Sequence, residues 1–388
     1  MSDRLVEFRK SQKLAPVVLP NKSKFYMDLL NISHSFSGRI DMWGFGNTFI
    51  MEAEQLLVNA LELFEMGYFD CAYYSLRSCV EVSTIIVFLS DMPEDESYTY
   101  TEAWKDSEKF PMMGQMLRNL EEKGDVFRDV KDKMADFFSA SKLLNEKLNK
   151  YVHKQGFRHF YVSRNHPFNN QSQDTFIKNF EYHITKCIGI VAVMRLVIDP
   201  FPVLLMDKEI LYRSMDSMTE PYADKFVDEY VGNETLEAYK TTDIYQHAYE
   251  FYIGNERKYP ATFDIVKWKY INADKMDEIL TQLHLIGNYD IVAVLIVYAC
   301  DKAVKVYCFN GMQMYHTNRK TNRTEMSWSG KDFRDFKNAD SKINQTYGEA
   351  YISTFIFEDE PYFVEHNEIL THEDIANIFK IVLTHFSK

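Results

Sequence analysis

Residues 71–89, CAYYSLRSCVEVSTIIVFL, decide the first half of the fold. The stretch is apolar on most faces, and Arg77 and Glu81 are its charged residues, so it predicts a helix at the centre of a bundle. In front of it, residues 49–66 repeat apolar side chains at helical spacing, and Gly67 is a natural end for that helix. Together the two segments predict a helical hairpin.

The rest of the chain divides into two parts with different patterns. Helices are predicted near 112–122, 126–153 and 174–198, with an acidic loop at 91–100 and an exposed loop at 156–172. After Pro260, β-branched and aromatic runs predict strands at 291–299, 303–309, 312–316, 351–357 and 362–365, with helices near 274–286 and 372–386. The predicted fold class is α+β: an arm (1–44), an all-α helical bundle (45–205), a helical linker (206–259) and an α+β domain with a mostly antiparallel sheet (260–388).

Composition narrows the possible functions. The 388 residues carry a net charge of −13, and the imbalance lies mainly after residue 205, where 30 acidic residues face 20 basic ones. Such a charge argues against non-specific coating of nucleic acid by the whole molecule. The five cysteines form no CxxC motif. The apolar run 187–198 is too short to span a membrane. We therefore expect a cytoplasmic protein with no membrane partner, no metal and no cofactor.

The most suggestive chemistry lies in residues 141–166, SKLLNEKLNKYVHKQGFRHFYVSRNH, called here the basic segment. Its lysines and arginines outnumber its acidic residues six to one, with histidines and aromatic residues between them. Basic side chains suit contact with phosphate, and aromatic side chains suit stacking on nucleobases. The alternative is a solvated lysine face of a helix with aromatic residues packed beneath it.

Two groups of residues in the helical part resemble the HEPN domains of bacterial defence and toxin proteins. The first is Ala72, Tyr73, Leu76, Arg77 and Glu81, and the second is Tyr151, Val152, His153 and Gly156. The resemblance covers about residues 45–200, or about 40% of the chain. Active members of that family cut RNA without metal, using an Arg and a His brought together across a homodimer.

The resemblance implies roles for several residues here. His153 takes the position of the catalytic histidine, and Lys147 stands at the spacing where the family has Arg. Arg77 can supply the guanidinium that Lys147 lacks. It also lies four residues before Glu81 and can pair with it along the helix. The RNA-binding candidates are Lys150, Tyr151, Lys154, Arg158 and Arg164.

Two functions follow from these assignments. One is a protein that binds RNA or nucleotide through the basic segment and acts as a metal-independent ribonuclease. The other is a non-catalytic dimerisation or binding scaffold, because lysine lacks the planar fork with which arginine holds a phosphate. Elsewhere, His366 and His372 stand near several glutamates, and Thr371 is a natural N-cap for the last helix.

Overall fold

The structure, a computed structural model, describes residues 3–33, 46–167, 169–213, 219–254, 259–320, 334–337 and 342–387. The chain forms two compact units. The first, the helical unit, consists of Met1–Met206 and Asp216–Ile253. The second, the sheet unit, consists of Asp207–Met215 and Gly254–Lys388. The segment 206–259, which the sequence predicts to be a linker, therefore contributes to both units.

The helical unit is built around one apolar helix. Its helices are α1 Asp3–Ser11, α2 Lys22–Ser33, α3 Gly46–Glu65, α4 Phe69–Asp91, α5 Glu94–Lys105, α6 Met113–Lys123, α7 Asp125–Lys133, α8 Ala135–Val152, α9 Gln173–Ile198 and α10 Phe201–Leu204, followed by α11 Asp224–Phe226, a π-helical turn Val227–Val231, α12 Asn233–Tyr239 and α13 Asp243–Gly254. As predicted, α4 is central: it packs against α3, α6, α8 and α9. The long α9 buries an unbroken run from Cys187 to Ile198.

Aromatic rings join these helices into one core. Phe64 of α3 stacks on Phe180 of α9 with ring centroids 3.8 Å apart and planes tilted by 11°. Gly189 of α9 lies under the backbone of the π-helical turn, where an added Cβ would stand 2.1 Å from the Tyr230 carbonyl oxygen. Only glycine permits so close an approach between two backbones.

Two predictions for this unit are wrong. Residues 91–100 are not a loop, because α5 begins at Glu94 with three acidic residues in its first turn, where they stabilise the positive end of a helix. The helix predicted at 126–153 is two helices, α7 and α8, separated at Met134 with φ −106° and ψ 36°. The apolar spacing continues across the break, so hydrophobic periodicity does not reveal it.

Helix α4 is also long and apolar enough, by length and composition, to cross a membrane. The sequence prediction considered only the run at 187–198. In the structure, 61% of the most apolar window of α4 is buried. A buried core helix passes the same test of length and composition, so the test does not identify α4 as a membrane span.

Among its described residues, the sheet unit carries six strands. They are β1 Tyr270–Ile271, β2 Ala303–Cys308, β3 Gln313–Thr317, β4 Gln345–Tyr347, β5 Ala350–Phe357 and β6 Glu360–His366, in the order β1-β3-β2-β6-β5-β4. Its helices are α14 Lys208–Arg213, α15 Phe263–Trp268, α16 Met276–Thr281, α17 Asn288–Ala299 and α18 His372–Phe386. One face of the sheet and the helices α17 and α18 bury a common apolar core. The strands at 303–309, 312–316, 351–357 and 362–365 and the last helix lie where they are predicted.

The sheet departs from the prediction in two ways. It is mixed, because β1 pairs in parallel with β3, from Tyr270 opposite His316, whereas the other described strand pairs are antiparallel. The run at 291–299, predicted as a strand, is the helix α17. A short run of β-branched residues buried on all sides has no periodicity that separates a helix from a strand.

Candidate cationic site

The basic segment lies where α8 ends and the chain turns back towards α9. Helix α8 ends at Val152, and the backbone leaves it through Lys154 and Gly156, which both have positive φ, at 52° and 101°. Two 3₁₀ turns follow, Phe157–His159 and Tyr161–Ser163. The loop predicted at 156–172 is thus partly ordered by turns that send some side chains inward and others outward.

A buried polar chain supports this region from below. Tyr151 stacks on Tyr73 of α4 with centroids 4.2 Å apart and ring planes tilted by 20°. The Tyr73 hydroxyl in turn shares a 2.8 Å hydrogen bond with Nδ1 of His183 on α9. Burial lowers the pKa of His183 to about 3, so this imidazole is neutral at pH 7. Stacking on Tyr73, which is itself held by His183, restrains the ring of Tyr151 at the surface end.

His159 lies within electrostatic range of four cations of the basic segment. It is half-buried, and its ring stands edge-on to Tyr151 at 4.5 Å. Its pKa is lowered, first by burial and then by the positive charges of Lys150, Lys154, Lys147 and Arg158, in that order. Four cations acting on one imidazole mark a local positive region on an acidic protein. The Nδ1 atom of His159 is buried and has no hydrogen-bond partner among the residues that the structure describes.

The cations around His159 differ in whether they already form an ion pair with an acidic residue of the protein. The Lys154 ammonium pairs with Asp70 of α4 and lies 4.9 Å from the centre of the Tyr161 ring. Lys147, Lys150 and Arg158 are exposed and make no ion pair with any described residue. These three cations are therefore available to an anion from solution.

Aromatic residues of the basic segment are divided between the core and the surface. Tyr161 is buried, at 5% exposure. Phe157 and Phe160, on either side of His159, are exposed at 50% and 43%, and their rings lie 6.3 Å apart with planes tilted by 24°. Two exposed, nearly parallel phenylalanine rings beside three cations form a surface on which bases can stack.

The residues predicted to be catalytic are not concentrated at His159. Arg77 donates from Nε to Asn149 Oδ1 at 2.9 Å and pairs with Glu81, so the pairing expected from their spacing is present. Lys147 lies within electrostatic range of His159 and His183. His153 is exposed just after α8, and the structure gives it no link to Arg77.

Arg164, predicted to bind RNA, is buried at 4% exposure. Its guanidinium stacks over Phe176, 3.6 Å from the ring centre, and NH1 donates to the Lys13 carbonyl oxygen at 2.7 Å. It therefore does not belong to the exposed cationic surface. Lys150, Tyr151, Lys154 and Arg158 do lie around His159, as described above.

Sequence reasoning missed His159 and His183 as site residues. His159 stands in the same basic segment as His153, and its neighbours Phe157 and Phe160 gave no indication of which histidine faces the lysines. His183 lies in an apolar helix far along the chain, and its pairing with Tyr73, 110 residues earlier, exists only in the folded bundle.

Within the described residues, no group of three or more His, Cys, Asp or Glu side chains lies close enough to hold a metal ion. His366 is buried in the sheet unit, where Nε2 bonds Ser353 Oγ at 2.8 Å and Nδ1 bonds the Glu368 carbonyl at 2.7 Å. Thr371 forms the N-cap of α18, as predicted.

No family model, no curated protein and no solved structure matches this chain.

Proposed function

We propose that the helical unit binds single-stranded RNA through the cationic surface around His159. The observation that carries the proposal is the position of His159 among four cations, three of them without an ion pair among the described residues. Lys147, Lys150 and Arg158 are exposed, and all three act electrostatically on the same imidazole. Phosphate oxygens are the anions that such a group recognises along a nucleic acid.

Single strands fit this surface better than duplexes. The exposed Phe157 and Phe160 rings offer stacking faces, and bases are available for stacking only where they are unpaired. Removing one such stacking ring costs about 1 to 3 kcal/mol of binding free energy per base. The cations contact the backbone and the rings contact the bases, so affinity depends on both groups.

The test is binding of a labelled single-stranded RNA, followed by fluorescence anisotropy. We expect Lys147→Ala and Phe157→Ala each to weaken binding, and Lys109→Ala, an exposed lysine between α5 and α6, to leave it unchanged. Equal affinity of all three variants and the wild type would refute the proposed surface. A competitor duplex of the same length separates stacking from charge, because it offers phosphates without accessible bases.

RNA cleavage without metal is the second candidate function, and it rests on the HEPN-like resemblance together with the neutral histidine. Because the pKa of His159 is lowered, the unprotonated imidazole is favoured at pH 7 and can accept a proton from a ribose 2′-hydroxyl. The neighbouring lysines would stabilise negative charge that develops on the phosphate. In this proposal the protein is a cytoplasmic homodimer formed through the helical unit, and His153 is the competing candidate for the acid–base role.

Cleavage is tested with His159→Ala and His153→Ala in parallel, on a mixed RNA pool with EDTA present. Loss of cleavage in one variant, with RNA binding retained, assigns the catalytic histidine. Equal cleavage by both variants and the wild type points to a contaminating nuclease. Binding without cleavage by the wild type leaves the scaffold with a degenerate motif as the function, and a sedimentation measurement then tests whether that scaffold is a dimer.

A further inference from the structure

A cavity of about 490 Å³ lies between the N-terminal arm and the start of α9. The arm contributes Lys10, Lys13 and residues 15–17 to its wall, and the other wall consists of Arg164 and residues 170–173. No residue of the cavity belongs to the cationic surface around His159. The two regions can therefore be tested independently of each other.

Arg164 is the unusual residue in this cavity. Its side chain is 4% exposed, and no carboxylate pairs with it among the described residues. Its partners are the Lys13 carbonyl oxygen and the faces of Phe69 and Phe176, while its Nε atom is buried without a hydrogen-bond acceptor. Buried arginines are normally matched by an acidic group, because an uncompensated buried charge is costly. Burial lowers the pKa of Arg164 to about 10, so it still carries its charge at pH 7.

The N-terminus of α9 adds further donors to the same cavity. Ser172 is the N-cap, and its hydroxyl accepts from the Thr175 amide at 3.1 Å. The first intrahelical hydrogen bond runs from the Phe176 amide to the Ser172 carbonyl, so the amides of residues 173 and 174 have no helical acceptor. A 26-residue helix also presents a partial positive charge at this end.

Two lysines of the arm complete the positive lining. Lys13 adopts a left-handed conformation with φ 55°, and its ammonium donates to Asn170 Oδ1 on the opposite wall. Lys10 also lines the cavity and pairs with the exposed Glu7 at 3.5 Å. Asp174, the acidic residue in the first turn of α9, is exposed and does not line the cavity.

We propose that this cavity, called here the arm pocket, binds a phosphomonoester group. Arg164 and Lys13 would hold its charge, and the first amides of α9 would donate to its oxygens. A phosphomonoester carries a charge of about −1.5 to −2 and three acceptor oxygens, which matches two cations and a helix N-terminus. The volume exceeds what a phosphate needs, so the group can bring a small organic portion with it. Two sources share this chemistry: a free mononucleotide and the 5′-phosphate end of an RNA strand.

Isothermal titration calorimetry on the full chain tests the arm pocket. The probes are inorganic phosphate, AMP, adenosine, and one short RNA prepared with a 5′-phosphate and with a 5′-hydroxyl. We expect AMP to bind at one site per chain and adenosine not to bind. Arg164→Lys, which keeps the charge but loses the fork, and Lys13→Ala should each weaken AMP binding by about tenfold. Lys178→Ala, which removes an exposed charge farther along α9, should leave it unchanged.

Each outcome decides a specific point. A preference for AMP over the 5′-phosphorylated RNA identifies a mononucleotide site, and the reverse preference identifies a strand-end site; both support the arm pocket. No binding of phosphate or AMP by the wild type overturns it, as does binding that Lys178→Ala weakens as much as Lys13→Ala. If Arg164→Lys fails to fold, Lys13→Ala still decides, because the Lys13 side chain is exposed. Neither outcome affects the proposal of an RNA-binding surface around His159, because that proposal is tested with substitutions at other positions.

Discussion

Replacing Lys150 with alanine should reduce the salt dependence of RNA binding by a defined amount. Lys147, Lys150 and Arg158 are the three cations around His159 that make no ion pair with described residues. On single strands, each neutralised phosphate contributes about −0.7 to the slope of log affinity against log salt, so three cations give about −2. Between about 50 and about 200 mM salt, the affinity of the wild type should fall by about eighteenfold. With one cation removed, the slope becomes about −1.4 and the same salt step costs about sevenfold.

Fluorescence anisotropy with a labelled single-stranded RNA of about 12 nucleotides measures both slopes directly. Lys109→Ala is the matched control, because it removes an exposed lysine outside the cationic surface. A wild-type slope close to zero would refute the view that these cations bind phosphate. The same holds if Lys150→Ala and Lys109→Ala change the slope equally.

Further predictions concern stability. Tyr73→Phe should cost about 1 to 3 kcal/mol of unfolding free energy, because it leaves the buried His183 without its partner. The pKa of His183 is about 3 in the folded chain and near 6.5 when unfolded, so the unfolded state binds more protons between these values. Stability should therefore fall as the pH drops from 6.5 towards 3, by up to about 1.4 kcal/mol per pH unit, and be unaffected above this window. Gly189→Ala should unfold the helical unit more readily, because its Cβ would collide with the Tyr230 carbonyl. Thr371→Ala should cost about 1 kcal/mol through loss of the α18 cap.

Denaturant unfolding followed by circular dichroism checks all four, each against a neighbour of the same kind. Tyr74→Phe alters an exposed tyrosine next to Tyr73, and Gly114→Ala places a Cβ in open space on α6. Thr371→Ser keeps the capping hydroxyl. For acid stability, His183→Gln should reduce the pH dependence between pH 6.5 and 3 by the contribution of His183, and the contribution of the buried His316, whose pKa is also lowered to about 3, should remain. Any variant that behaves like its control contradicts the reasoning for that site.

Much of the helical unit could be predicted because its helices show apolar residues at helical spacing and are separated by residues that end helices. The hairpin of α3 and α4 and the limits of α9 follow from apolar spacing, a glycine between helices and prolines after residue 198. The break at Met134 could not be predicted, since the apolar stripe continues through it. Helix α17 was predicted as a strand for a related reason: residues 291–297 are all buried, and total burial removes the alternation that distinguishes the two structures.

The candidate site could be predicted only as a segment. Composition identified residues 141–166 but not which side chains face solvent, because that depends on the two 3₁₀ turns after α8. Those turns expose Phe157 and Phe160, bury Tyr161 and carry Arg164 away into the arm pocket. His153 was chosen because of the HEPN-like motif. The path of the backbone, which the sequence does not reveal, brings His159 within electrostatic range of the lysines and Arg158.

The hydrogen bond between Arg164 and the Lys13 carbonyl has a consequence for biosynthesis. Its partners stand 151 residues apart in the chain. At translation rates of about 5 to 20 residues per second, Lys13 would wait about 8 to 30 s for Arg164 to be synthesised. During that interval Lys13 has no docking partner in the loop before α9, and the arm pocket does not exist. Ligand binding at this pocket would therefore report that the chain has been synthesised as far as the start of α9.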